Sequence, residues 1–218
     1  MRKLVIFDFD GTLVDTITDV GICFNAALRQ NNLPQHPLDA FGRFAGGNLE
    51  TVISKMLPPD QITPENIDRV KVVYRKLYLE SNKPNTKPYN GVLELLDILK
   101  NNGYYIAINS NKGQILLDDM VQKIFPPHYF DAVIGYDETR PSKPDPYGID
   151  MICCACGLKR KDAIYVGDGS SDIATAMAAE IPCVFVTWGQ GSAEDQLNPH
   201  ISYIATTVDE LQHILLKN

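Results

Sequence analysis

The chain has no apolar stretch approaching the ~18 residues of a membrane-spanning helix, so we expect it not to be anchored in a bilayer that way. Positive charge is in short supply. Twenty Lys and Arg stand against 27 Asp and Glu, a formal net charge of −7 at pH 7. That balance argues against a nucleic-acid polymer as the main partner, because gripping a phosphate backbone usually needs a basic face. A small anion is still compatible, since a site can be positive locally inside an acidic protein. Cysteine is sparse, five residues without disulfide-framework spacing. Cys153, Cys154 and Cys156 fall within one predicted helix, and no nearby His or Cys completes a set. We read them as a buried face of reduced thiols, not as a zinc tract. Of four histidines (His36, His128, His200, His213), none lies in a motif. No repeat or low-complexity tract is visible. The start, Met1-Arg2-Lys3, is basic, but the apolar run before Asp8 is shorter than a signal peptide requires; a cytoplasmic location is the expectation.

What is present is ordinary globular material: 218 residues, 44% hydrophobic and 22% charged, enough for a proper core. Apolar strand-like runs alternate with helical periodicity, as in a parallel sheet covered on both faces. The strands are Leu4-Val-Ile-Phe7, Tyr104 to Asn109, Ala132-Val-Ile134, Ala163-Ile-Tyr-Val166 and Cys183 to Thr187. Between them come helices through Val92–Leu99, Leu116–Ile124, a segment opened by Asp145-Pro146 as N-cap and N1 and closed by Gly157, and Ile173–Met177. A last helix carries Val208, Leu211, Ile214 and Leu215. With right-handed crossovers these make a Rossmann-like sheet. From about Thr16 to Lys83 the alternation stops and every segment reads as helix. The expected fold is therefore α/β: a Rossmann-like parallel sheet core (1–15 and 84–218) with an inserted all-helical cap domain (16–83), hinged at Asp15-Thr16 and Asn82–Asn85.

Chemistry gathers where strands end. Asp8-Phe-Asp-Gly-Thr12 follows the first strand, and strand alternation points Asp8 and Asp10 the same way. Two like charges on one face ask for a cation or a shared proton, and oxygen ligands suit Mg²⁺. Ser110, in Asn109-Ser-Asn-Lys112, follows the second strand. Lys143 sits among Pro141, Pro144 and Pro146. Asp168 and Asp172 are spaced i, i+4 after a further strand, so a helix starting between them brings both carboxylates to one edge. Each feature alone has a plain reading: Asp10 as a metal ligand only, Ser110 as a helix cap, Lys143 as a solvated loop residue.

In this order, the four elements resemble the signature of the haloacid dehalogenase-like hydrolases, mostly phosphatases. The resemblance covers the chain outside the segment between the first two motifs. It implies Asp8 as the nucleophile forming an aspartyl-phosphate and Asp10 as general acid. Ser110 and Asn111 would meet the phosphoryl group, Thr12 would hold the motif loop, and Lys143 would offset the charge shared by Asp8 and phosphate. Asp8, Asp10 (through its carbonyl), Asp168 and Asp172 would form the Mg²⁺ site. Lys112 is read as a solvated charge. Glu180 stands where the family commonly has a helix-ending glycine, so a strained turn is expected there.

The cap loop Gly46-Gly47-Asn48 and the stretches Tyr165–Asp168 and Val186–Gly189 look like the phosphoglycolate phosphatase subgroup. Gly47 and Asn48 are thus candidates to meet substrate, and Arg43 and Lys55 to meet a substrate carboxylate. Val20 stands near where the β-phosphoglucomutase relatives carry a histidine, which argues against a mutase. The expected partner is a small phosphorylated metabolite: phosphoglycolate, a sugar phosphate, a nucleotide or pyrophosphate. A receiver-type signalling module would be about half this length and lack the helical insertion. A D-x-D glycosyltransferase would leave Ser110, Lys143 and Asp168 unexplained, and a catalytically dead binding protein would not keep every catalytic position filled. Oligomeric state, a homodimer included, is open.

Overall fold

A computed structural model describes residues 3–217; Met1-Arg2 of the basic start, and Asn218, lie outside the described residues. β1 (Leu4–Phe7) is four buried apolar residues in a row, the composition of a strand with no solvent-facing side. After it come β2 (Val14–Asp15), α1 (Ile17–Gln30), α2 (Leu49–Met56), α3 (Pro64–Glu80) and β3 (Lys87–Pro88). Strand and helix then alternate: α4 (Val92–Asn101), β4 (Tyr105–Gly113), α5 (Gln114–Ile124), β5 (Ala132–Tyr136), α6 (Tyr147–Cys156), β6 (Ala163–Gly167), α7 (Ser170–Ala178), β7 (Cys183–Val186), β8 (Ile201–Ala205) and α8 (Val208–Lys217). Among the described residues no helix is long and apolar enough to cross a membrane.

The main sheet is parallel, in the order β5-β4-β1-β6-β7-β8. Numbered among themselves those strands run 3-2-1-4-5-6, the order of a doubly wound Rossmann sheet. The order reverses at β1, which pairs with β4 on one side and β6 on the other. At that reversal the carboxyl edge of such a sheet opens a crevice. Alternation along β1 feeds both faces: Val5 and Phe7 enter one apolar cluster, Leu4 and Ile6 the other. Each such side chain contributes about 1.5–3 kcal/mol when fully buried.

The insertion is helical, as expected. Its core is aromatic: the Phe24 ring of α1 stacks on Tyr74 of α3 at 3.8 Å, with Phe41 at 6.3 Å on the other side. Gly21 lets α1 come close, since a Cβ there would sit 2.8 Å from the Phe41 ring. Where the chain enters and leaves the insertion, β2 and β3 pair antiparallel, Val14 with Pro88 and Asp15 with Lys87. Beside them the buried Asp19 carboxylate accepts from Asn85 N and Nδ2, both at 2.9 Å, and from Thr86 Oγ1 at 2.7 Å.

Three local features differ from expectation or sharpen it. α6 begins at Tyr147 with Pro146 as its N-cap, one residue late, and Asp145 caps from outside by accepting from Tyr147 N at 2.8 Å. β8 was not anticipated; Ser202, Tyr203 and Ile204 are exposed on this edge strand, so it lacks a clean apolar alternation. Glu180 has φ +56°, the left-handed conformation expected of a residue in a glycine's place.

Candidate active site

Asp8 leaves β1 and Asp168 leaves β6 side by side, each the residue next after its strand. Asp172 lies in the first turn of α7 and reaches back, accepting from Gly169 N at 3.0 Å. Into this group comes Lys143 from the loop before α6. Its side chain is only 2% exposed, and its ammonium lies 2.9 Å from Asp8 Oδ1 and 2.7 Å from Asp172 Oδ1. The contact with Asp172 is a hydrogen bond. The contact with Asp8 is a close ion pair in which buried Oδ1 receives no well-directed hydrogen bond. Asp168 is held from two sides, by Thr12 Oγ1 at 2.8 Å and by Gln190 N at 2.7 Å. Gly11, at φ +82°, is required here: a Cβ would collide with the Asp168 carboxylate.

Charge explains the group's behaviour. Burial pushes the Asp8 carboxyl up to about 6, with Lys143 pulling the other way and Asp172 adding to the rise. Asp168 is pushed up to about 8 by burial and then by the charges of Asp172 and Asp8. Burial alone would lower Lys143, yet Asp172 and Asp8 hold it well above the ordinary ammonium value. Two of the three carboxyls thus share one ammonium, and Asp168 has none. One oxygen from each of Asp8, Asp168 and Asp172 lies within 4.8 Å of the others. An all-oxygen, buried donor set with an orphaned Asp8 acceptor and surplus negative charge fits a hard divalent cation.

Asp10 is engaged elsewhere. Its carboxylate accepts from Thr16 Oγ1 at 2.6 Å and from the Lys112 ammonium at 2.8 and 3.0 Å. This corrects the reading of Lys112 as solvated: its side chain is 6% exposed. Neither Lys112 nor Thr16 was foreseen as a partner of Asp10. The signal available was position alone, Lys112 two residues past Ser110 and Thr16 at the start of the insertion. Ser110 is buried after Asn109, where the pairing of β4 with β5 loses register. Its Oγ accepts from Lys112 N at 3.3 Å, which leaves its own O–H to donate. Asn111 Nδ2 donates to the Lys143 carbonyl at 3.3 Å, and its buried Oδ1 has no partner.

These groups form the floor of a cavity of about 630 Å³ roofed by the insertion. Asp8, Asp10, Ser110, Asn111, Lys143, Asp168, Asp172 and Gly47 all line it. Thr12 lies behind Asp168 and does not. Asn48 is not at the wall either. It caps α2, its Oδ1 accepting from Thr51 N and Oγ1 at 2.9 Å each. Lys55 is spent on backbone, donating to the carbonyls of Ala45 at 3.0 Å and Gly46 at 3.1 Å, and Arg43 does not line the cavity. Lys55 does not line the cavity either.

Residues 5–186 match the family described as haloacid dehalogenase-like hydrolase. A phosphoglycolate phosphatase of Mesorhizobium japonicum is 30% identical, over 86% of this chain and 84% of its own length. One of Aquifex aeolicus is 28% identical over 89% of each. Among solved structures, a haloacid dehalogenase-like hydrolase of Streptococcus pneumoniae superposes with a TM-score of 0.87 at 26% identity, covering 98% of both chains. A Clostridium acetobutylicum protein described as a predicted phosphatase reaches 0.90 at 26% identity over the full length of both. With the family match spanning most of the chain and the same fold in those relatives, this chain belongs to the haloacid dehalogenase-like hydrolases, and within them it is similar to the phosphoglycolate phosphatases.

Proposed function

We propose that this chain hydrolyses a small phosphomonoester, with Mg²⁺, through an aspartyl-phosphate on Asp8. The observation that carries the reading is the buried Lys143 shared between Asp8 and Asp172, beside Asp168, at the switch point of the sheet. An Asp8 oxygen bonds to phosphorus as the bond from phosphorus to the leaving oxygen breaks. Asp10, two residues on and lining the same cavity, gives its proton to the departing alkoxide. It then takes one from the water that attacks phosphorus and frees Asp8. Lys143 offsets the nearby charge, while Ser110 and Asn111 face the transferred group. Thr12 acts indirectly by fixing Asp168.

Asp8, Asp168 and Asp172, with the Asp10 carbonyl, would hold Mg²⁺. When bound, the metal shields the anionic nucleophile from the anionic phosphate. Residues 1–15 and 84–218 serve as catalytic core and 16–83 as the cap that covers substrate. The free thiols of Cys23, Cys153, Cys154, Cys156 and Cys183 fit a reducing compartment such as the cytoplasm.

The test is phosphate release from a panel of phosphomonoesters with and without Mg²⁺, with Asp8→Asn in parallel. The relatives' names make 2-phosphoglycolate the reference compound, beside sugar phosphates, nucleotides and pyrophosphate. Turnover should require Mg²⁺ and fall about ten-thousandfold or more in Asp8→Asn. Retained activity in that variant would remove Asp8 as nucleophile.

A further inference from the structure

The cavity over Asp8 has two kinds of wall. Its floor is ionic, but much of the rest is apolar: Val20, Leu49, Val52 and Leu79 from the insertion, and Ile115 and Leu116 from the start of α5. Leu79 is 48% exposed and Ile115 is 77% exposed. Aliphatic side chains left open at the mouth of a catalytic crevice have surface to bury against a ligand.

Charge on the walls selects in the same direction. Among the described residues three cations line the cavity, and each is already paired. Lys143 is held by Asp8 and Asp172, Lys112 by both oxygens of Asp10, and Arg75 by Glu138 at 3.1 Å. Asp195 adds negative charge to the wall, while Asp137 and Glu138 there are paired with Arg140 and Arg75. A leaving group bearing a second anion would compete for a cation with the carboxylate that already holds it. An apolar leaving group avoids that competition and gains by covering the aliphatic wall. The volume allows it: about 630 Å³, the phosphoryl site included, lies in the range of pockets that enclose a whole small molecule, roughly 300–1,000 Å³.

The geometry points to a phosphomonoester whose leaving alcohol carries an apolar body, an alkyl chain or a single ring, as the substrate class of this cavity. This rests on the phosphatase reading and narrows its leaving group.

The experiment measures kcat/KM with Mg²⁺ for ethyl, n-butyl and n-hexyl phosphate. Their alcohols differ little in acidity, so any trend reports binding. An n-hexyl phosphate ending in a carboxylate is the charged control, and 2-phosphoglycolate anchors the short end. Efficiency should rise about two- to fourfold per added methylene until the cavity is filled, and the charged control should fall well below n-hexyl phosphate. Val52→Asn should flatten the rise. A flat alkyl series, or a charged control equal to n-hexyl phosphate, overturns the inference while Mg²⁺- and Asp8-dependent release leaves the phosphatase reading standing. No release from any compound removes both.

Discussion

The ammonium of Lys112 lies across both oxygens of Asp10, at 2.8 and 3.0 Å, and 4.8 Å from the Tyr78 ring of α3. One side chain thereby joins the end of β4 that carries Ser110, the proposed acid and the cap. Among the described residues only Thr16, at the entry to the insertion, holds the Asp10 carboxylate besides it. Asp10 is therefore held by one residue that packs on the insertion's Tyr78 and by one at the entry to the insertion.

Lys112→Met keeps the stem and removes the charge. We expect kcat to fall about ten- to a hundredfold with KM little changed, because general acid–base catalysis typically contributes about 10²–10⁴ and Thr16 still holds one oxygen. Steady-state kinetics with the pH profile of kcat checks it; an unaltered kcat and profile would show that Lys112 does not position Asp10.

Lys143→Met should cost metal-free stability about 3–5 kcal/mol, since it leaves Asp8 and Asp172 buried without their shared counter-charge. Urea denaturation in EDTA measures the loss. Added Mg²⁺ should recover part of it while phosphate release stays abolished.

The metal-free protein should lose stability as pH rises. Asp8 and Asp168 titrate near 3.8 when unfolded but at about 6 and about 8 when folded. The folded chain thus keeps protons that the unfolded chain has released. Their contribution is complete below about pH 4 and is lost as pH passes through about 6 and then about 8. Thermal melts should show the gap between Mg²⁺-bound and metal-free Tm widening across that window. A constant gap would mean that the metal does not sit among these carboxylates.

Asp19→Ala should destabilise the protein by at least about 2 kcal/mol, because it strands the donors Asn85 N, Asn85 Nδ2 and Thr86 Oγ1 beside the hinge. Hydrogen exchange should quicken at the Asn85 amide. Unchanged exchange there would mean that Asp19 does not tie the two cap connections together.

Gly11→Ala should disturb the site more than the fold. The added methyl meets the Asp168 carboxylate and must adopt φ +82°. Mg²⁺ affinity read by calorimetry should weaken about tenfold or more, as small misplacements of metal ligands typically cause.

Much of this molecule is legible in its residue pattern. Leu4–Phe7 and Ala163–Val166 are short apolar runs with no polar alternation, which only a doubly covered strand accommodates, and a carboxylate follows each. Helical periodicity without strands from Thr16 to Lys83 marks the insertion. Asp8, Asp168 and Asp172 could be singled out because strand ends and an i, i+4 spacing are local properties. Long-range geometry decided the rest. Lys112 pairs with a residue 102 positions away, and nothing about its neighbours distinguishes it from a solvated lysine. Asn48 ends a substrate-like loop and Lys55 stands in the last turn of the helix after it, yet local hydrogen bonds to Thr51 and to backbone carbonyls engage them. β2, β3 and β8 escape notice because two-residue pairs and exposed edge strands carry no periodicity. The sequence by itself determined five of the six strands of the main sheet, the insertion and the acidic edge, because apolar runs and turn residues act over a few positions. Which cations stay free, and how apolar the cavity over Asp8 is, only the tertiary structure decided, because both depend on side chains far apart in the chain meeting across the crevice.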